Sequence, residues 1–152
     1  MLLNSSPVLE PSVPQPNDSS FGNEKSDRFN MSMGTPFQNE LECFENSFAG
    51  RDYSIEIACP EFTSMCPKTG QPDFGKLIFR YVPSRKCVEL KSLKLYLQKF
   101  RNEGIFYENV TNRIFDDFVA IVSPKSFTLE SHWGARGGIT SVITVSHQNE
   151  ME

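Results

Sequence analysis

Ser126-Phe127-Thr128-Leu129-Glu130-Ser131-His132-Trp133-Gly134-Ala135-Arg136-Gly137-Gly138-Ile139-Thr140-Ser141-Val142-Ile143-Thr144-Val145 is the stretch on which the fold turns. Phe127, Leu129 and Trp133 alternate with polar neighbours, the two-residue period of a half-buried strand over 126–133. Ile139 to Val145 is rich in β-branched side chains, which suit a pleated surface. Gly134-Ala135-Arg136-Gly137-Gly138 predicts the turn between the two strands.

Upstream the period changes to that of helices. Val110, Ile114, Phe118 and Ile121 form a stripe from Glu108 to Val122, and Ser123-Pro124 stops it. Leu93, Tyr96, Leu97 and Phe100 share one face of an earlier helix, with Lys94, Gln98 and Arg101 elsewhere around it and Gly104 as its expected end. Farther back, Lys76–Val82 and the alternating Tyr53–Ala58 read as strands. A turn at Pro83-Ser84-Arg85 follows the later strand, and a Pro-rich loop over Pro60–Asp73 separates the two. The order strand, strand, helix, helix, strand, strand predicts an α+β fold: a four-stranded antiparallel sheet with two helices on one face. Such a sheet has open edges that invite pairing, so oligomerisation is expected. Closure of several sheets into a ring would leave clefts between subunits.

At 152 residues the chain has room for one domain. Its net charge of −4 gives no general attraction to nucleic acid or anionic membranes, so a bound anion needs a local basic cluster. No apolar run approaches the ~20 residues of a spanning helix. The opening Met1-Leu2-Leu3-Asn4-Ser5-Ser6-Pro7 lacks the pattern of a secretory signal, and the expected location is cytoplasmic. Residues 4–36 are crowded with Ser, Pro, Asn and Gly, which predicts a disordered extension over 1–40 and a catalytic domain over 41–148. Cys43, Cys59, Cys66 and Cys87 lack Cys-x-x-Cys spacing and read as reduced thiols; with only two histidines, no metal site is expected.

Three groups of residues carry chemistry. Cys66 lies in a loop stiffened by Pro60, Pro67 and Pro72, with Asp73 seven residues on, where the chain can curl back toward the thiol. A cysteine so placed is either an apolar filler or an activated nucleophile, with the carboxyl as general acid. Lys91 and Lys94, three apart at a helix start, form either an anion site with the helix N-terminus or a solvated face; Arg136 is a candidate third cation. Glu108, after Phe106-Tyr107, is either a helix-dipole partner or a bidentate acceptor for a guanine-like edge. No Gly-x-Gly-x-x-Gly follows a strand, which excludes a Rossmann-type dinucleotide domain.

Together these pieces resemble the NADPH-dependent 7-cyano-7-deazaguanine reductases, the nitrile reductases of queuosine biosynthesis. The nucleophile loop is Pro60-Glu61-Phe62-Thr63-Ser64-Met65-Cys66-Pro67-Lys68-Thr69-Gly70-Gln71-Pro72-Asp73-Phe74. Glu89-Leu90-Lys91-Ser92-Leu93-Lys94-Leu95-Tyr96 fits the family signature at all eight positions, and Gly134–Gly138 is similar to its Arg-Gly-Gly turn. The resemblance covers about Leu41 to Val145, in the single-module form of the family. It implies a tunnelling fold whose subunits join their sheets into rings, usually two stacked, with sites between subunits.

The resemblance also implies the chemistry. Cys66 would attack the nitrile carbon of 7-cyano-7-deazaguanine to give a covalent thioimide, and Asp73 would supply protons. Two NADPH would deliver the hydrides. Glu108, beside Tyr107 and the main chain around Val88, Glu89 and Leu90, would hold the deazapurine, while Lys91, Lys94 and Arg136 would hold NADPH phosphates. One departure stands out: Tyr107 occupies a position where the family usually has His, and a phenol does not titrate near neutrality. Two rival readings remain at this level: a zinc-dependent cyclohydrolase of the same fold superfamily acting on GTP, and a non-catalytic purine-binding ring protein.

Overall fold

The computed structural model describes residues 37–148. Strands β1 (Cys43–Glu45), β2 (Ile55–Met65), β3 (Pro72–Val82) and β4 (Lys86–Val88) come first. Helices α1 (Leu90–Lys99) and α2 (Tyr107–Val122) follow, then β5 (Ser126–Arg136) and β6 (Ile139–Gln148). The main sheet has the order β2-β3-β5-β6, antiparallel throughout. The α+β fold with the expected strand and helix order is therefore observed. The expectation of an extension over 1–40 falls outside the described residues, apart from 37–40, where Phe37 packs edge-on against Phe100 and Gln38–Glu40 form a 3-10 turn.

One sheet face carries Leu77, Phe79 and Tyr81 from β3 and Phe127, Leu129 and Trp133 from β5, all buried. They pack with Leu93, Tyr96 and Phe100 of the first helical segment and Val110, Ile114 and Phe118 of α2. Each large side chain removed from water contributes about 1.5–3 kcal/mol, so this layer holds helices and sheet together. Arg80, on the other face, pairs with Glu56 and Glu130. These ion pairs lie at the surface, where water and salt screen them.

Three expectations need correction. The loop expected over Pro60–Asp73 is mostly strand: β2 runs through to Met65 and β3 starts at Pro72. Pro60 is tolerated because the register shifts between Cys59 and Phe62, where the ladder does not need its missing N–H. Gly104 does not end α1: the helix closes at Phe100, and a 3-10 turn carries the chain to Asn102. Gly104 instead forms a bridge to Met65, with Pro67 about 3.7 Å from where a Cβ would lie. The turn expected over 134–138 shrinks to Gly137-Gly138, both at positive φ, while Arg136 still belongs to β5. The paired short strands β1 and β4 were not expected at all. Ser123, in the left-handed region, ends α2 just before Pro124, where the stop was expected.

Candidate active site

The β2–β3 hairpin places the thiol. Residues 66–71 form its turn, closed by Cys66 N–H to the Gln71 carbonyl and Gly70 N–H to the Cys66 carbonyl, each 2.8 Å. Gly70 has φ of +67°, which a side chain would resist. Inside this turn the Thr69 side chain, and then the backbone N–H groups of Lys68 and Thr69, lower the Cys66 thiol pKa, against the opposing effects of burial and the Asp73 charge. Burial pushes the Cys43 and Cys59 thiols the other way. Of these three cysteines, only Cys66 has surroundings that favour the thiolate, the reactive form.

Asp73 sits two strand positions beyond the turn, opposite Ser64, on the sheet face that looks toward the helices. It is 2% exposed. Two donors converge on its Oδ1: the Tyr107 hydroxyl at 2.9 Å and Arg136 Nη2 at 2.5 Å. Arg136 also donates from Nη1 to Gln71 Oε1 at 2.8 Å, tying the far hairpin to the Cys66 turn. Met65 N–H donates to the Glu103 carbonyl, and Ile105 N–H to the Met65 carbonyl. The segment that feeds α2 is thus fastened beside the thiol, and Tyr107 opens that helix. Burial, and then the bond to Asp73, push the Tyr107 phenol above its ordinary value.

The cations separate. Lys94 lines an open groove of about 650 Å³ with Cys59–Thr63, Phe74, Leu97, Gln98 and Arg101. Lys91 lies in a smaller recess among Glu40, Glu42 and Glu89. Arg136 is engaged by Asp73, so the expected trio does not form one cluster. The helix N-terminus is not an open anion site either. Glu89 caps it, its carboxylate accepting from the N–H groups of Lys91 at 2.8 Å and Ser92 at 2.7 Å, which holds its pKa below the ordinary carboxylate value. Val88 is buried, Leu90 exposed, and Glu108 exposed in the first turn of α2. Arg101 was missed as a candidate; it sits in the 3-10 turn after α1 and lines the same groove as Lys94. The groove offers Lys94 and Arg101 as cations and Phe62, Phe74 and Leu97 as apolar surface. Neither Cys66 nor Asp73 lines that groove.

The profile of the QueF-like protein family matches residues 72–152. The chain belongs to this family. The NADPH-dependent 7-cyano-7-deazaguanine reductase of Rhodopirellula baltica is 62% identical over 120 residues, 79% of this chain and 99% of that protein. The protein of the same name from Chlorobium luteolum is 62% identical over 110 residues, 72% of this chain and 95% of its own length. A crystal structure of an archaeosine synthase QueF-like protein in the apo form superposes with a TM-score of 0.59 at 14% identity. It covers 64% of this chain and 96% of that one, a likeness of fold. This QueF-like chain is a nitrile-reductase relative by sequence along almost the whole length of those reductases.

Proposed function

We propose that this chain reduces the nitrile of 7-cyano-7-deazaguanine to an aminomethyl group with NADPH, a step of queuosine biosynthesis. The identity to the named reductases carries the reaction. The observation that carries the site is the thiolate-favouring turn at Cys66 beside the buried Asp73.

Cys66 thiolate adds to the nitrile carbon, and Asp73 gives a proton to the nitrogen as the C≡N π pair moves onto it. The product is a thioimide, a better hydride acceptor than the nitrile. NADPH supplies two hydrides in succession, and Lys94 and Arg101 are the cations placed to hold its phosphates. After the first hydride the C–S bond breaks, returning the electron pair to Cys66 and leaving an imine; the second hydride adds to its carbon while a second proton, passed through Asp73, reaches the nitrogen. Glu108, with the main chain at Val88–Leu90, is the proposed grip on the deazapurine edge. Lys91 joins the phosphate site only if its acidic neighbours are displaced.

The proposed assembly is a homo-oligomeric ring, two rings stacked, working in the cytoplasm without nucleic acid or membrane. Open sheet edges at β2 and β6 support it, as do Ile139 and Val142, 75% and 56% exposed on β6. Among the described residues no helix is long and apolar enough to cross a membrane.

Mixing the protein with 7-cyano-7-deazaguanine in the absence of NADPH tests the reading. The intact mass is expected to rise by the full mass of the nitrile, since addition expels nothing, and Cys66→Ala is expected to stay unmodified. An adduct that persists in Cys66→Ala would sink the assignment. With NADPH added, two equivalents should be oxidised for each nitrile consumed.

A further inference from the structure

We propose that Tyr107 is a positioning residue for the acid: its hydroxyl, with Arg136, occupies Asp73 Oδ1, so that the transferable proton rides on Oδ2. This rests on the nitrile-reductase reading above. Tyr107 thereby has a role of its own beyond contact with substrate.

The geometry behind it is a closed set of contacts. The Tyr107 ring lies flat against Trp133, centroids 4.0 Å apart and planes within 8°. Trp133 is fixed in turn by Nε1 donating to Ser131 Oγ at 3.0 Å. Ser131 Oγ shares a hydrogen bond of 2.7 Å with Thr111 Oγ1, and Thr111 reaches the Tyr107 carbonyl at 2.7 Å. Helix and strand therefore grip Tyr107 at its ring and at its backbone. What projects from the grip is the hydroxyl, 2.9 Å from Asp73 Oδ1.

A carboxylic acid with two donors on one oxygen offers its proton from the other. As the thiolate forms its bond to carbon, the nitrile π pair takes that proton and Asp73 becomes a carboxylate. The donors from Tyr107 and Arg136 stabilise this charge as it appears, so they strengthen the acid in the transition state. The titratable groups facing the carboxyl are Arg136 from β5, Cys66 from the hairpin turn and Tyr107 from α2.

Tyr107→Phe keeps the ring on Trp133 and deletes the donor. Adduct formation between Cys66 and 7-cyano-7-deazaguanine, followed without NADPH from pH 5 to 10, is expected to slow about tenfold, one lost charge-assisted hydrogen bond. The pH profile of this step should change with the loss of the phenol, whose own ionisation lies above its ordinary value. In the full reaction kcat should fall while KM for the nitrile stays within about twofold. Tyr107→His restores a donor and should recover most of the rate, with a new titration near the ordinary histidine range. Emission from the sole tryptophan, Trp133, reports whether the stack survives in each variant. An unchanged rate and pH profile in Tyr107→Phe with the stack intact would overturn the proposal. So would a raised KM at constant kcat, which would make Tyr107 a substrate contact. Absence of adduct in the parent protein would instead refute the nitrile-reductase reading itself.

Discussion

Replacing Gly75 by alanine puts a methyl group into occupied space. A Cβ there would lie 3.0 Å from Cε3 of Trp133, 3.3 Å from its Cδ2 and 3.1 Å from the His132 carbonyl oxygen. Carbon contacts are relaxed only from about 3.5 Å, so the indole must retreat by about 0.5 Å. It has little freedom to do so. Its Nε1 is bonded to Ser131, Tyr107 covers one face, and Phe62 meets it edge-on at 5.8 Å between centroids. The His132 carbonyl is backbone of β5, so moving it strains the β3–β5 ladder. Overpacking of this kind costs about 1–3 kcal/mol. At several degrees per kcal/mol the thermal midpoint should drop by about 5–10 °C, followed by circular dichroism. Trp133 emission should shift, and adduct formation at Cys66 should slow because the Tyr107 hydroxyl is carried away from Asp73. Adding Trp133→Leu removes the ring that clashes, so the double variant should be more stable than the two single losses combined predict. A midpoint within about 1 °C of the parent, with unchanged emission, would refute the reasoning.

Two further outcomes follow from the hairpin. Thr69→Val removes the first donor to the Cys66 sulfur, so the thiol pKa should rise and less thiolate exist at neutral pH. Iodoacetamide alkylation at pH 7 should slow about threefold to tenfold, while the plateau at high pH is unchanged; an unaltered pH profile would exclude Thr69 as the source of the shift. Ser64 Oγ is buried with no hydrogen-bond partner among the described residues. Ser64→Ala should therefore stabilise the fold by up to about 1 kcal/mol in urea unfolding, and a loss of stability would reveal a bond that the hydroxyl makes.

The parts of this molecule legible in the sequence were those written in a short period. Phe127, Leu129 and Trp133 marked β5, and Val110, Ile114 and Phe118 marked α2, because one buried face repeats along each element. Pro60 and Pro72 hid the ends of β2 and β3, since proline weakens a strand pattern even where a register shift or a strand's first residue accommodates it. The three-residue strands β1 and β4 were too short to show any period. At the site, Cys66, Asp73, Tyr107 and Arg136 were all singled out, but not who bonds to whom. Arg136 was expected at a phosphate, but its bond to Asp73 is not marked in the sequence; Glu89 was expected in the pocket through its main chain, and that its carboxylate caps its own helix was not foreseen.

The pairing of Asp73 with Tyr107 and Arg136 spans 34 and 63 residues of chain. Contacts so distant in sequence close only after the intervening helices have folded back and β5 has zipped onto β3. The groups that lower the Cys66 thiol pKa all lie within its own turn. A growing or partly unfolded chain can therefore present an activated thiol before the groups that govern its acid have arrived. Nucleophilicity is local to this fold, and control over it is global: reactivity toward thiol reagents without nitrile addition is the signature of a chain whose last strands have not yet docked.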